Sequence, residues 1–328
     1  LAGAGVVGLV LALAVALAVS AAALRLGPRL GYLDVPDDPL LKAHQVPAVP
    51  LGGVAIFLGV HLGMAVTGRV DLGLMAASGL VLALGLVDDR LGVSPVVRLL
   101  IESAAGVVLV LVAAVPLAPG PLGLVAGTVL VVVCVNAVNL FDGLDGLAGS
   151  SAMVAAIGLS WLGAARGLEG SFGLMLAAAL AGFLVYNWHP ARIFLGDNGA
   201  YVVGLFLAYG IMRVSPQGLG LGLLVAAGLL GVFALDLAVT VLRRRLNGRP
   251  LFAGDRSHVY DQLRDREVPV WRVALSAAAA EGAFVVLVLA IDRLVSEPVA
   301  LAILAVGVAA MLAGLALGGF LRADPTSP

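Results

Sequence analysis

Several carboxylates occur where an apolar chain ordinarily avoids them. Asp88 and Asp89 follow directly on an apolar run, Asn139, Asp142 and Asp145 come at three-residue spacing after another, and Asp197 lies between Gly196 and Gly199 just before a third. Ionised groups at such places cost free energy unless they are solvated, paired or bound to a cation. Adjacent side chains diverge, so one of Asp88 and Asp89 can face a site while the other anchors the backbone; a solvated loop start explains a bare Asp-Asp pair equally well. Spacing by three puts Asn139, Asp142 and Asp145 on one side of a helical turn, and the interspersed glycines permit close approach to a ligand. A simple capping turn would not need two amides, Asn136 and Asn139, with two carboxylates. Asp197 suits a hard cation held through oxygen, because Mg2+ sites use one or two carboxylates plus substrate phosphate.

The remaining polar side chains complete the chemistry. Asn187 opens the stretch Asn187-Trp188-His189-Pro190, in which His189 reads as structural, and Phe194 suits either a membrane anchor or stacking on a base. A basic loop carries Arg243-Arg244-Arg245 and then Asp255-Arg256-Ser257-His258. The arginine triplet would suit anionic lipid equally well. The mixture of carboxylate, guanidinium and imidazole in the second segment fits a phosphate or a sugar. Lys42 and His44, in a Pro-bounded loop, fit a phosphate contact or an interfacial position. Glu102, Asp236 and Glu281 lie in apolar runs and need partners, and Asp236 stands two turns before Arg243, near the same end of its helix.

What positions these groups is a membrane. Of 328 residues 61% are hydrophobic and only 12% charged, which excludes a water-soluble surface. Apolar runs of helix-spanning length recur at 3–24, 51–67, 72–87, 98–115, 121–138, 150–165, 171–187, 200–212, 219–242, 271–291 and 298–320. The expected fold is all-α, a polytopic bundle of about eleven transmembrane helices. The first run lacks a basic start and exceeds a signal-peptide core, so it is read as a retained span. Alternating sides puts fifteen of the 19 lysines and arginines on one face, leaving Arg69, Arg166, Arg213 and Arg293 on the other. By the positive-inside rule the N-terminus is then outside and the C-terminus cytoplasmic. Nearly all the polar clusters fall on the inner face, so the chemistry is expected there. Residues 1–322 read as a single membrane domain and 323–328 as a disordered tail; the lone Cys134 reads as packing.

In this order and on one face, the Lys42-Ala43-His44 loop with Gly52-Gly53, the Asp88-Asp89 pair, the Asn139–Gly146 stretch, the Phe194–Gly199 stretch and the Asp255–His258 loop resemble the polyprenyl-phosphate N-acetylhexosamine-1-phosphate transferases. The resemblance runs from about Asp34 to Gln262, and eleven spans look closer to the GlcNAc-1-phosphate branch than to the ten-span phospho-MurNAc-pentapeptide translocase. It implies transfer of a sugar 1-phosphate from a UDP-sugar to a polyprenyl phosphate at the cytoplasmic face of a bacterial plasma membrane, releasing UMP. It further implies Mg2+, or Mn2+, on Asp197 with Asn139 as a second ligand. Asp88, Asp89 and Asp142 would be catalytic, Asp145 and Phe194 would hold the uracil, Arg256 and His258 would meet pyrophosphate or sugar, and Lys42, His44 and Asn187 would complete substrate binding. A homodimer is a further expectation; a nucleic-acid partner is not.

Two positions depart from the family pattern. His258 is followed by Val259, Tyr260 and Asp261 rather than further histidines, which predicts that the segment 256–261 sets sugar choice. Gly92 stands where a Lys or polar residue is common. A secondary transporter would place its polar groups at mid-membrane rather than at helix ends on one face. A non-catalytic lipid-phosphate-binding protein would not need Asp88, Asp145 and Asp197 together.

Overall fold

The computed structural model describes residues 2–34, 47–168, 170–215, 220–248 and 258–321. Lys42, His44, Arg256 and the tail 323–328 lie outside them. Over its described residues each apolar run found in the sequence is largely helical. The first five helices are α1 (Ala2–Leu26), α2 (Gly52–Val66), α3 (Leu72–Leu91), α4 (Pro95–Val112) and α5 (Gly120–Phe141). They are followed by α6 (Leu147–Ala165), α7 (Ser171–Asn187) and α8 (Gly196–Val214). The run at 219–242 is not one regular helix but α9 (Leu221–Ala227), a 3-10 turn at Gly228–Leu230, and α10 (Gly231–Leu246). A short helix, α11 (Val259–Asp265), precedes α12 (Val270–Leu294) and α13 (Glu297–Leu317). Among the described residues, seven helical segments are long and apolar enough to cross a membrane, so the chain is a multi-pass, all-α membrane protein. A two-residue parallel pairing of Val49–Pro50 with Ile193–Phe194 interrupts the all-helical plan at the polar end.

Local chemistry sets the helix ends. Asp71 caps α3 by accepting from the Leu74 amide at 2.9 Å, and Ser94 with Pro95 at the first helical position starts α4. Gly92, at φ +67°, closes α3 with its amide on the Asp88 carbonyl. A side chain there would be strained, which gives this departure from the family a backbone reason.

At the centre stands α8, touching α2, α3, α5 and α6. Sixteen of its 19 residues are buried, as expected of a helix that is apolar all round. Its first turn, Gly196-Asp197-Asn198, is polar. The fold thus carries a buried rod with a charged tip to the end of the bundle where α3, α5 and α7 finish and α4 and α6 begin.

The break before α10 is held by a carboxylate from another helix. Glu281 of α12 is fully buried and accepts from the Val232 amide at 2.9 Å. In an apolar surrounding a broken helix must find partners for its freed amides, and Glu281 supplies one. At the far end of the bundle Arg166 pairs with Asp292 of α12 at 2.6 Å and donates to the Val214 carbonyl at 2.7 Å.

Candidate active site

The two adjacent aspartates of α3 do divide their work. Asp89 faces the tip of α8: one oxygen accepts from the Asp197 amide at 2.8 Å, the other from the Asn198 amide at 3.1 Å and side chain at 2.6 Å. Leu195, the residue before α8, makes no side-chain cap, so Asp89 caps a buried helix N-terminus from a neighbouring helix, where negative charge is favoured. The close approach requires glycine: a Cβ on Gly85 would collide with the Asn198 backbone, and one on Gly53 with the Asn198 side chain. Asn198 also donates to the Pro50 carbonyl at 2.7 Å, tying the strand pairing to the same point.

Asp88 turns the other way. Oδ1 accepts from the Val93 amide at 2.7 Å, and Oδ2 accepts from the Tyr201 hydroxyl at 2.6 Å and from Arg98 at 3.3 Å. Arg98 reaches the same hydroxyl at 3.0 Å. The buried carboxylate is therefore neutralised by a guanidinium and oriented by a phenol. Residue types alone do not single out Asn198, Tyr201 or Arg98; the i, i+4 relation of Asp197 and Tyr201 is the signal in the sequence for the second.

Asn139, on the last turn of α5, donates from Nδ2 to Asp197 Oδ1 at 2.6 Å. Asp197 Oδ2 makes no hydrogen bond among the described residues. Asp142 ends α5 with its amide on the Asn139 carbonyl at 3.2 Å, and its carboxylate also has no hydrogen-bond partner among the described residues. Burial first, then the charges of Asp197, Asp89 and Asp145, hold the Asp142 carboxyl well above the usual carboxylate range. Asn139 thus meets Asp197 and Asp142 lies near enough to feel its charge, but Asp145 does not share their side of the turn. Asp145 Oδ2 instead accepts from His189 Nδ1 at 2.7 Å and from the Ala191 amide at 3.0 Å. Asn187 is buried with its amide oxygen on the Gly146 amide at 3.1 Å and its nitrogen on the Ile193 carbonyl at 2.9 Å. Asp145 and Asn187 therefore stitch the loop after α7 onto the turn after α5. Phe194 stands half-buried at the end of that loop, in register with Pro50.

Two hard oxygen donors, Asp197 Oδ2 and the Asp142 carboxylate, have no hydrogen-bond partner among the described residues, and Arg98 is a cation near enough to act on Asp197. Among these residues no three-residue cluster of His, Cys, Asp and Glu forms a ready cage. That donor set fits Mg2+, which keeps waters and substrate oxygens in its shell, better than it fits zinc. A pH signature follows. A raised carboxyl pKa means that the folded state binds its proton more tightly than the unfolded state. This contribution is present below about pH 4 and is lost as pH rises toward the raised value. Metal-free protein should therefore lose stability as pH rises above about 4, and Mg2+ should raise the thermal midpoint more at pH 8 than at pH 5. Equal Mg2+ shifts at both values would remove this account.

The basic loop ends inside the molecule. His258 is buried, with Nδ1 2.7 Å from Asp236 Oδ2. Tyr260 donates to the Leu140 carbonyl at 2.9 Å and lies against Phe141 and Gly143. Tyr260 and Asp261 are both buried, and through its hydroxyl Tyr260 braces the acidic turn. Arg243 and Arg244 are buried as well, and Arg245 alone of the triplet is exposed.

The profile of glycosyl transferase family 4 matches residues 72–215, the segment holding Asp88, Asp142 and Asp197. A probable undecaprenyl-phosphate N-acetylglucosaminyl 1-phosphate transferase of Bacillus subtilis is 34% identical over 284 residues, covering 79% of this chain and 76% of the relative. The chain belongs to glycosyl transferase family 4. Two further relatives match over different shares of the chain. A decaprenyl-phosphate N-acetylglucosaminephosphotransferase of Mycobacterium tuberculosis is 29% identical, over 73% of this chain and 70% of its own length. A phospho-N-acetylmuramoyl-pentapeptide-transferase of Moorella thermoacetica is 37% identical, over only 41% of this chain and 42% of its own length. Within glycosyl transferase family 4, therefore, the Bacillus and Mycobacterium relatives, which match over most of the chain, are both named for N-acetylglucosamine phosphate transfer.

Proposed function

We propose that this chain transfers N-acetylhexosamine 1-phosphate from a UDP-sugar to a polyprenyl phosphate, releasing UMP, at the cytoplasmic face of a bacterial plasma membrane. The observation that carries this reading is the meeting of Asp197, Asn139 and Asp142 at the buried tip of α8, in a member of a family whose named relatives transfer this group to prenyl phosphates. All eleven apolar segments cross in this reading, with the N-terminus outside, and the fifteen-to-four distribution of basic residues supports that orientation.

The acceptor phosphate is already a nucleophile, so the chain has to bring two anions together and orient them. Mg2+, when bound through Asp197 and Asp142, would neutralise charge on the phosphoryl oxygens. Asp89 keeps the first turn of α8 in place, so that Asp197 is held by its backbone as well as by Asn139. Asp142, as the second carboxylate at that ion, would help fix where the acceptor phosphate binds. Arg98, fixed by Asp88 and Tyr201, adds a cation beside the carboxylates. Phe194 offers a face for the uracil, and Asp145 shapes the loop that carries it. Lys42, His44 and Arg256 complete phosphate and sugar contacts in this reading.

The test is release of UMP from a panel of UDP-sugars by purified protein given undecaprenyl phosphate and Mg2+. Turnover that requires both lipid and Mg2+, with UDP-GlcNAc among the accepted donors, is expected. No UMP from any donor would overturn the reading.

A further inference from the structure

The inner half of α10 turns a polar face into the protein. Asp236, Thr240 and Arg243 fall at i, i+4 and i+7, on one side of the helix, and together with Arg244 each is at most 5% exposed. Asp236 Oδ2 lies 2.7 Å from His258 Nδ1 and Thr240 Oγ1 lies 3.2 Å from the same nitrogen. Asp236 Oδ1 is buried without a hydrogen-bond partner among the described residues. From the other side the imidazole stacks on Tyr260, centroids 5.1 Å apart and planes 11° apart. Tyr260 is itself locked to Leu140, two residues before Asp142. His258 is thus clamped between a carboxylate on α10 and the acidic turn after α5, while its Nε2 makes no hydrogen bond to a described residue.

We propose that Asp236 is a positioning residue that acts through His258. By accepting from Nδ1 it fixes the ring proton there and sets the ring plane, so that Nε2 is left as an acceptor for a hydroxyl or the amide N–H of the donor sugar. The assignment rests on the transferase reading above. A carboxylate buried only to join two helices would be a poor choice, because an apolar pair of similar volume would join them without the desolvation cost. The residue before α11 is also the last of the Asp255–His258 segment, so the pair fixes the point at which the basic loop rejoins the bundle.

The test compares Asp236→Asn, Asp236→Glu, His258→Ala and the double variant Asp236→Asn/His258→Ala in the UMP assay. Asp236→Asn should lower kcat about tenfold or more, with KM for the lipid changed by less than about twofold. The double variant should be no slower than His258→Ala alone, and Asp236→Glu should recover part of the rate. A second readout is independent of turnover. The chain has four histidines, so ring-15N spectra of histidine-labelled protein, with His258→Gln to identify the signal, should show His258 protonated at Nδ1 in the wild type and no longer confined to that tautomer in Asp236→Asn. Full kcat in Asp236→Asn, additive losses in the double variant, or an unchanged ring signal would overturn the proposal. If Asp236→Asn fails to fold, Asp236→Glu decides: a folded glutamate variant with neither rate nor ring signal restored also overturns it. An active wild type with these results removes this inference alone, whereas a wild type that releases no UMP from any donor removes the transferase reading and this inference with it.

Discussion

Asp197→Asn should reduce UMP release by about a thousandfold or more, the scale of losing a charge that acts in the transition state. The substitution is nearly isosteric. Asn139 can still donate to the remaining oxygen, and the Asp89 cap acts on the backbone of residue 197, so the fold should survive with a thermal midpoint close to wild type. What disappears is the negative charge at the oxygen that has no hydrogen-bond partner among the described residues. Near-normal turnover of a folded Asp197→Asn protein in Mg2+ would place the cation elsewhere.

Asp89→Ala should be among the changes most damaging to the fold. It strips the acceptor from two backbone amides and one side-chain amide at the tip of α8. At about 1 kcal/mol for each lost bond, the cost is on the order of 3 kcal/mol, a large share of typical stability. It also frees the turn that carries Asp197. Thermal unfolding in detergent should show a lowered midpoint, and whatever protein remains folded should turn over slowly because its metal ligand is no longer held in place. Asp88→Ala provides the contrast: it leaves the cap intact and disturbs Arg98 and Tyr201 instead. Equal midpoints for wild type and Asp89→Ala would show that the cap does not support the helix.

Much of this arrangement is legible in the sequence because a bilayer leaves few choices. Apolar runs of spanning length must be helices, and carboxylates at their ends must be solvated, paired or bound. The division of labour between Asp88 and Asp89 also follows from adjacency, since neighbouring side chains diverge. Which one anchors does not follow from local sequence: that depends on α8 arriving more than a hundred residues later with two unmet amides. Asp145 shows the opposite case. Its spacing matches Asn139 and Asp142, but α5 ends at Phe141, so helical periodicity no longer applies and the chain turns its carboxylate to His189. The partner of Tyr260, the Leu140 carbonyl, is likewise supplied only by the fold. The break before α10 is hidden for a similar reason. Gly228 and Gly231 mark where a helix can open, but the residue that makes opening tolerable is Glu281, about fifty positions away in another helix.

That last contact has a consequence for the order in which the chain matures in the membrane. The Val232 amide belongs to a segment synthesised before α12, and its acceptor arrives only when Glu281 is inserted. Until then the broken region has an exposed amide in an apolar solvent and Glu281 has no reason to enter the bundle, so neither helix reaches its final state alone. The pair should therefore act as a late latch, α9 and α10 being fastened only when α12 arrives with Glu281 at one end and Asp292 for Arg166 at the other. Because Asp236 lies on α10, its alignment with His258 would be completed only once the latch closes, so a nascent chain would gain its finished inner face near the end of synthesis.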